Sequence, residues 1–316
     1  MIGPTDNESY KVIPDPKTTK TMPKKKGKKG GKSKKPKKND KEKEEAENAA
    51  YDLLLSNFKK SSITITGNQP TPTILKAIQG PSTEKGAEDL PGWYDRKTRI
   101  QVIDVKMGPA LCRSLCRSIL GSGFPVDKLT RKPISYQLLQ NIHLVGCAIL
   151  DSGVTSLCEI LTVGETIGVK PTVLELANCG ITYRGIEHLG LALSGGGISG
   201  GGGNTCLQKL LLDGNKNIGN RGFQSLCIGL RGNCTLKTLT CKCCGLEGQA
   251  MGTAIALLLS SQTSGLEHLD VSENKLTPVG LSIVARALKK SIHLKTLGLA
   301  ENNIEADYDV ANVSIR

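Results

Sequence analysis

Apolar residues in the stretch Leu266–Leu288, LEHLDVSENKLTPVGLSIVARAL, change period partway along. Leu269 and Val271 alternate with polar neighbours, which puts two side chains on one face of a short strand. Leu266 precedes them and Leu276 follows, and Asn274 between them can hydrogen-bond backbone groups left unpaired by a tight turn. Thr277 and Pro278 then read as a helix cap and first helical residue. Leu281, Val284, Ala285 and Leu288 recur at i, i+3, i+4 and i+7, the apolar stripe of an amphipathic helix. Lys289 and Lys290 are expected in its last turn, where cations suit the helix dipole. A single strand, turn and helix cannot cover its own apolar face, so copies are required.

The copies are present from about residue 139 onward. The first runs Leu139, Ile142, Leu144, Cys147, Ile149, then Gly153, Leu157 and Leu161. The second has Leu174, Leu176, Cys179 and Ile181, followed by Gly185, Leu189 and Leu193. A third has Leu207, Leu210, Leu212, Asn215 and, one residue late, Ile218, then Gly222, Leu226 and Leu230. The fourth has Leu236, Leu239, Cys241, Cys244 and Leu246, with Ala250 where the others carry Gly. Leu266 begins the fifth, and Leu294, Leu297, Leu299, Asn302 and Ile304 form a sixth. Starts at Leu207, Leu236, Leu266 and Leu294 are 29, 30 and 28 residues apart.

That length, with Asn or Cys at the turn and Gly before the helix, resembles the ribonuclease-inhibitor type of leucine-rich repeat over about residues 134–305. The resemblance implies an α/β solenoid with a curved parallel sheet inside and helices outside. It also implies protein binding, a separate question from fold.

Upstream, Arg99–Val105 alternates as a strand and Pro109–Leu120 reads as a helix, a divergent half-repeat capping the solenoid. Glu45–Lys59 reads as a helix with Ala49, Leu53, Leu54 and Phe58 near one face, able to dock on a partner or on the solenoid's end. Ser61–Pro91 lacks periodicity, apart from a short strand at Ile63–Thr66 and a helix at Thr73–Ile78. The expected organisation is therefore a lysine-rich extension over 1–60, an irregular linker over 61–98, a capping half-repeat over 99–133 and about six repeats over 134–316.

Charge changes this picture at one place. The 316 residues carry a net charge of +13, yet residues 134–316 hold 14 Lys/Arg and 14 Asp/Glu. The excess precedes the repeats. Ten lysines without an acid occupy residues 24–38: Lys24, Lys25, Lys26, Lys28, Lys29, Lys32, Lys34, Lys35, Lys37 and Lys38. Self-repulsion and Gly/Pro content keep such a run from packing. It reads as an arm for a polyanion, or as a solubilising tail. Without Arg or interleaved aromatics, base stacking or specific base readout is not expected. Lys26 stands where a phosphate loop requires its first Gly, which excludes that reading. Ser194–Asn204 is a glycine-rich insertion expected as a flexible surface loop.

No apolar run approaches the ~18 residues of a membrane span, and the opening residues lack a secretory pattern. Eleven Cys without such a signal point to a reducing compartment and free thiols. Asn233-Cys-Thr235 and Asn312-Val-Ser314 match the glycosylation pattern but are expected to stay unmodified there.

Candidate chemistry is sparse. Cys241 and Cys244 fall on inward positions and Cys243 points out, and zinc would need a second ligand pair at defined spacing. Cys112 and Cys116, one helical turn apart, read as buried packing residues. The four His lie in separate repeats, so no nucleophile with a paired base is read, and neither enzyme, cofactor nor metal is expected. What remains is the concave face: His143, Glu175, Lys209, Asp213, Lys237, Lys242, Glu267, Asp270, Glu273 and Glu301, basic in the middle and acidic towards the C-terminal end. Hot-spot residues such as Trp, Tyr and Arg are scarce there. Short repeat proteins with a lysine run like this one resemble components of ciliary and flagellar axonemes, which implies a cytoskeletal scaffold whose arm lies on acidic microtubule surfaces. The alternatives are a nuclear or ribosomal nucleic-acid-associated protein, or a soluble enzyme inhibitor, although six repeats make a shallow arc for enclosing an enzyme.

Overall fold

The computed structural model describes residues 38–79, 97–194 and 204–304. The chain divides into residues 1–41 and 42–316, and of the first only the opening of a helix is described. Two helices come first, α1 (Lys38–Thr66) and α2 (Pro72–Gln79). Strand–helix units follow: β1 (Arg99–Ile103) with α3 (Gly108–Leu120), β2 (Asn141–Val145) with α4 (Leu150–Glu159), β3 (Val173–Glu175) with α5 (Tyr183–Leu193), and β4 (Lys209–Leu211) with α6 (Gly219–Leu230). Then come β5 (Thr238–Thr240) with α7 (Gly248–Leu259), β6 (His268–Asp270) with α8 (Pro278–Leu288), and β7 (Thr296–Gly298). The seven strands form one parallel sheet in sequence order. The chain therefore folds as the expected α/β leucine-rich-repeat solenoid.

Register follows from the leucines. Ile142, Leu174, Leu210, Leu239, Leu269 and Leu297 pair strand to strand. The five from Ile142 to Leu269 are buried, so a one-residue slip would turn each onto the concave face. Behind the sheet, Leu189, Leu226, Ile255 and Val284 from successive helices close the core. Thr277 caps α8 through its hydroxyl, which accepts from the Gly280 N–H at 3.4 Å, and Pro278 opens the helix. Lys289 and Lys290 lie just beyond α8, whose last turn carries Arg286 instead.

The turns tie one repeat to the next. Asn274 Oδ1 accepts from the N–H groups of Cys244 and Leu246 at 3.0 and 3.1 Å. Its Nδ2 donates to the carbonyls of Cys241 and Val271 at 2.8 and 3.0 Å. Asn215 does the same between its own repeat and the preceding one, accepting from Cys179 and Ile181 and donating to Leu176 and Leu212. Where Cys replaces Asn only the donor half survives: Cys179 Sγ donates to Leu144 O at 3.0 Å and Cys244 Sγ to Leu212 O at 3.4 Å. Helices of adjacent repeats meet backbone to backbone at glycine. A Cβ on Gly229 of α6 would stand 2.2 Å from the carbonyl oxygen of Gly190 on α5, and one on Gly252 of α7 would stand 2.4 Å from that of Gly280 on α8. In the fourth repeat position 250 is an exposed Ala, and the close approach is made at Gly252.

The N-terminal end departs from expectation. Helix α1 continues through Ile63–Thr66, where a strand was expected, and so runs past the boundary placed at residue 60. Tyr51, Leu54, Leu55 and Phe58 are buried whereas Leu53 is exposed. The buried stripe is thus rotated from the Ala49–Leu53–Leu54–Phe58 face. Tyr51 donates to the Ile78 carbonyl at 3.2 Å and its ring lies 6.2 Å from that of Tyr136. These contacts fold α1 and α2 into the cap, so Ser61–Gln79 is cap structure rather than linker, and Ser61 and Ser62 are themselves buried. Isoleucine and threonine favour strands, but burial of the apolar stripe outweighs that local preference.

Replacing Asn274 with Ala strands two N–H groups and the Cys241 carbonyl in the core, Val271 O keeping its bond from Asn302 Nδ2 at 3.1 Å, and should cost about 2–4 kcal/mol. Asn274→Cys, which keeps a donor of the kind used in three other repeats, should cost less. Urea unfolding with unchanged slope would show this order; equal losses would contradict it.

Candidate functional site

The sheet register sorts the concave side chains into rows. One row holds Asn141, Val173, Lys209, Thr238, His268 and Thr296, and the row two residues later holds His143, Glu175, Leu211, Thr240, Asp270 and Gly298. Lys237, Glu267 and Lys295 form a further row at the strand entrances, where the Glu267 and Lys295 N–H groups donate to the Lys237 and Glu267 carbonyls. Asp213 and Lys242 follow the strands at their exit, beside Ser272. Glu273 and Glu301 sit one residue further on, exposed, at turn positions with φ of 58° and 54°.

Stacking pairs most of the charges. Lys242 Nζ lies 3.0 Å from Asp270 Oδ2. Glu267 is shared between Lys237 at 3.5 Å and Lys295 at 2.5 Å. His143 Nδ1 meets Glu175 Oε2 at 2.5 Å. The basic middle and acidic end expected from the sequence are therefore interleaved: Lys237 and Lys242 reach carboxylates one repeat onward. Among the described residues Lys209, Glu273 and Glu301 form no ion pair. Of the ten predicted face residues, seven come together in contacts with one another or with neighbouring concave groups, and these three project freely, Lys209 on β4 and the two glutamates at the turns.

Burial and neighbours set the ionisation of this cluster. Asp213 accepts the Lys242 N–H at 2.9 Å. Burial, helped by the nearby Asp270 charge, pushes its carboxyl above the usual value despite the Lys242 N–H hydrogen bond and the Lys242 cation. Burial acts the same way on Asp270, but hydrogen bonds from Ser272 and Lys242 more than offset it and hold that carboxyl below the usual value. The hydrogen bond to Asp270, against some burial, raises Lys242.

Over β5, β6 and β7 the sheet carries an open groove of about 370 Å³ lined by Thr238–Thr240, His268–Asp270 and Thr296–Gly298. His268 Nδ1 is 2.8 Å from Thr296 Oγ1 on one side. Gly298 makes the other side, where a Cβ would stand 2.4 Å from Asp270 Oδ1. Thr238, Thr240, His268 and Thr296 were not among the residues expected on the face, because that selection followed charge. Their place two residues apart, flanking Leu239, Leu269 and Leu297, was the available signal.

The buried thiols of the repeat frame are structural. Cys241 and Cys244 are buried on inward positions, as their register indicates, and Cys243 takes a left-handed turn conformation with φ of 50°. Burial pushes Cys147 up to about 12 and Cys179 up to about 11. Cys116 is raised too, by its hydrogen bond with Cys112 and then by burial. Such groups are poor nucleophiles near neutrality. Asn233 of the first glycosylation pattern is buried, with Nδ2 donating to Leu193 O at 2.9 Å and Oδ1 accepting from Leu236 N at 2.8 Å. A sugar transferase has no access to that nitrogen. Asn312 lies outside the described residues, as do Lys24–Lys37 of the arm, while Lys38 opens α1.

Fold, repeat frame and concave face together define a leucine-rich repeat protein. The Leucine Rich repeat family matches residues 203–227 and 266–285. The chain is 30% identical over 208 residues to "NACHT, LRR and PYD domains-containing protein 5" of Bos taurus, a match that covers 64% of this chain and 18% of that protein. It is 32% identical over 174 residues to protein 14 of the same designation from Mus musculus, covering 49% of this chain and 16% of the relative. Protein 13 of Homo sapiens is 31% identical over 173 residues, covering 53% and 15%. The chain thus spans less than a fifth of the length of these relatives, and the similarity is to a segment of each. None of the three names refers to an axonemal structure.

The raised carboxyl of Asp213 binds a proton in the folded chain at a pH where the unfolded chain has released it. Its contribution to stability therefore falls as pH rises from about 3.9 through the folded value. Asp213→Asn removes that term and keeps an acceptor for Lys242. The variant should gain on the parent chain in urea midpoint as pH rises from 4 to 6, and a gap that narrows over this range would contradict the assignment.

Proposed function

We propose that this chain is a non-enzymatic protein-binding scaffold whose partner seats on the concave sheet, centred on the groove over β5–β7. The groove carries the argument. It offers hydroxyls of Thr238 and Thr296, the His268 imidazole and the Asp270 carboxylate on a rigid sheet, with Gly298 leaving room for that carboxylate. Polar groups held in place by register lose little freedom on binding, which favours affinity from few contacts. Lys209, Glu273 and Glu301 around it supply charges that can steer and orient a partner. The relatives carry LRR in their printed designations among other domains, which supports a recognition role for this segment rather than a catalytic one. The ribonuclease-inhibitor subtype is supported by the 28–30-residue period and the Asn/Cys turn.

The lysine run adds a second attachment. Ten cations within fifteen residues fit an acidic surface, and a tubulin surface in the cytoskeleton or a ciliary axoneme is the placement we propose for it. Nucleic acid is the competing polyanion, and a steep salt dependence with loss to RNA competition would favour it.

Proximity labelling and co-purification should compare the full chain with two variants. One lacks residues 1–37, since removal to residue 60 would take Tyr51, Leu54 and Phe58 out of the core. The other, Thr240→Arg with Thr296→Arg, fills the groove from exposed or half-exposed positions. The double arginine variant should lose partners at least tenfold while remaining folded, and the shortened chain should lose only those on acidic surfaces. Unchanged partners in the arginine variant would remove the groove from the function; ribosomal or nuclear partners through the arm would remove the cytoskeletal reading.

A further inference from the structure

A second surface lies away from the concave sheet, in the loop joining α3 to β2. The chain leaves α3 through Gly121 in a left-handed conformation and is anchored on its return by Tyr136 N–H donating to Ile119 O at 2.7 Å. In between, Val126 and Pro133 form an antiparallel bridge. Asp127 N–H donates to Lys132 O at 3.0 Å and Arg131 N–H donates to Asp127 O at 2.8 Å. The Asp127 carboxylate accepts from Leu129 and Thr130 N–H at 3.0 and 2.6 Å. Closed this way, the loop is a pre-organised hairpin rather than a loose connection.

What it displays is unusual for an uncovered surface. Leu129 at its tip is 92% exposed, and Val126 and Ile134 are 49% and 43% exposed. Lys128, Arg131 and Lys132 are exposed around it, and among the described residues none of them is in an ion pair. The nearby acid, Asp127, is spent on the loop's own backbone. Alongside runs an open groove of about 560 Å³ between Thr130–Gln137 and Thr166–Gly168, with Pro133, Ile134 and Ile167 supplying apolar wall. Apolar side chains held out in water beside unpaired cations mark an interaction site.

We propose that this hairpin and groove dock an acidic polypeptide segment bearing an aliphatic side chain, contributed by a partner protein. Its carboxylates meet Lys128, Arg131 and Lys132, its aliphatic side chain enters the groove, and Leu129 closes over it. Charge complementarity selects an acidic occupant. The concavity selects a polypeptide over a lipid surface, because a flat anionic bilayer would engage Leu129 and the cations but leave the groove unfilled. The site is on a different face from the groove over β5–β7 and does not depend on that reading.

The probe is a fluorescein-labelled nine-residue peptide of glutamates with one central photo-leucine, added to the full chain. Irradiation should yield cross-links within residues 125–135 and 164–168. Lys128→Glu with Arg131→Glu and Lys132→Glu should weaken binding, read by anisotropy, at least tenfold. Leu129→Ser and the groove-blocking Thr166→Trp should each weaken it at least threefold. All these side chains are exposed, and circular dichroism would verify that the variants stay folded. Cross-links confined to the lysine run 24–38 or to the concave strands would overturn the proposal, as would variants that bind like the parent chain. Sedimentation with phosphatidylcholine–phosphatidylserine vesicles that needs Leu129 but ignores Thr166→Trp, with no peptide cross-link to the loop, would overturn it in favour of a lipid surface.

Discussion

The hydrogen bonds at the turn after each strand hold this solenoid together as a single object. A turn residue that points inward must bridge its own repeat and the one before it, because the N–H and carbonyl groups freed by the turn are buried between them. Asn215 and Asn274 serve both sides with one amide, accepting two N–H groups and donating to two carbonyls. Cys147, Cys179 and Cys244 serve with a single S–H donor and fill the space with sulfur. Once these bridges are in place, strand register, helix spacing and the glycine contacts between helices follow, because each repeat meets only its neighbours.

The same stacking makes the concave face. Lys242 and Asp270 are 28 residues apart in the chain, as are Lys295 and Glu267, yet each pair is in contact because register brings one repeat's position beside the next. Partly exposed ion pairs contribute little to stability. Their consequence lies in recognition: they neutralise much of the lysine and carboxylate charge and leave hydroxyls, an imidazole and Lys209, Glu273 and Glu301 as the distinctive groups. Gly298 matters for the same reason, since the Asp270 carboxylate on the neighbouring strand fills the place a side chain there would take.

The repeat frame was legible because its signal is internal: leucines at fixed offsets, Asn or Cys at one turn position and glycine near each helix start recur and reinforce one another. The Thr277–Pro278 start of α8 was legible for a similar reason, as capping is a local interaction among adjacent residues. Where a single copy had to be judged alone, reading failed. Ile63–Thr66 has the composition of a strand, but it is the end of α1, whose Phe58 face is buried in the cap. Leu53 lies on the apolar face expected from spacing yet is exposed, while Tyr51 off that face is buried, because a helix shows its buried face only when the surface it packs on is known.

By itself, then, the amino-acid order determined the solenoid, its register and the separation of a lysine-rich run from a charge-balanced repeat region. These depend on periods of two, about 3.6 and about 29 residues, which survive in one dimension. The tertiary structure decided which charges pair across repeats, where a groove opens, that Asn233 is locked inside and that Leu129 stands in water beside unpaired cations. Those outcomes depend on contacts between residues some 28 or more positions apart and on what remains uncovered after packing, and neither is written in any local pattern.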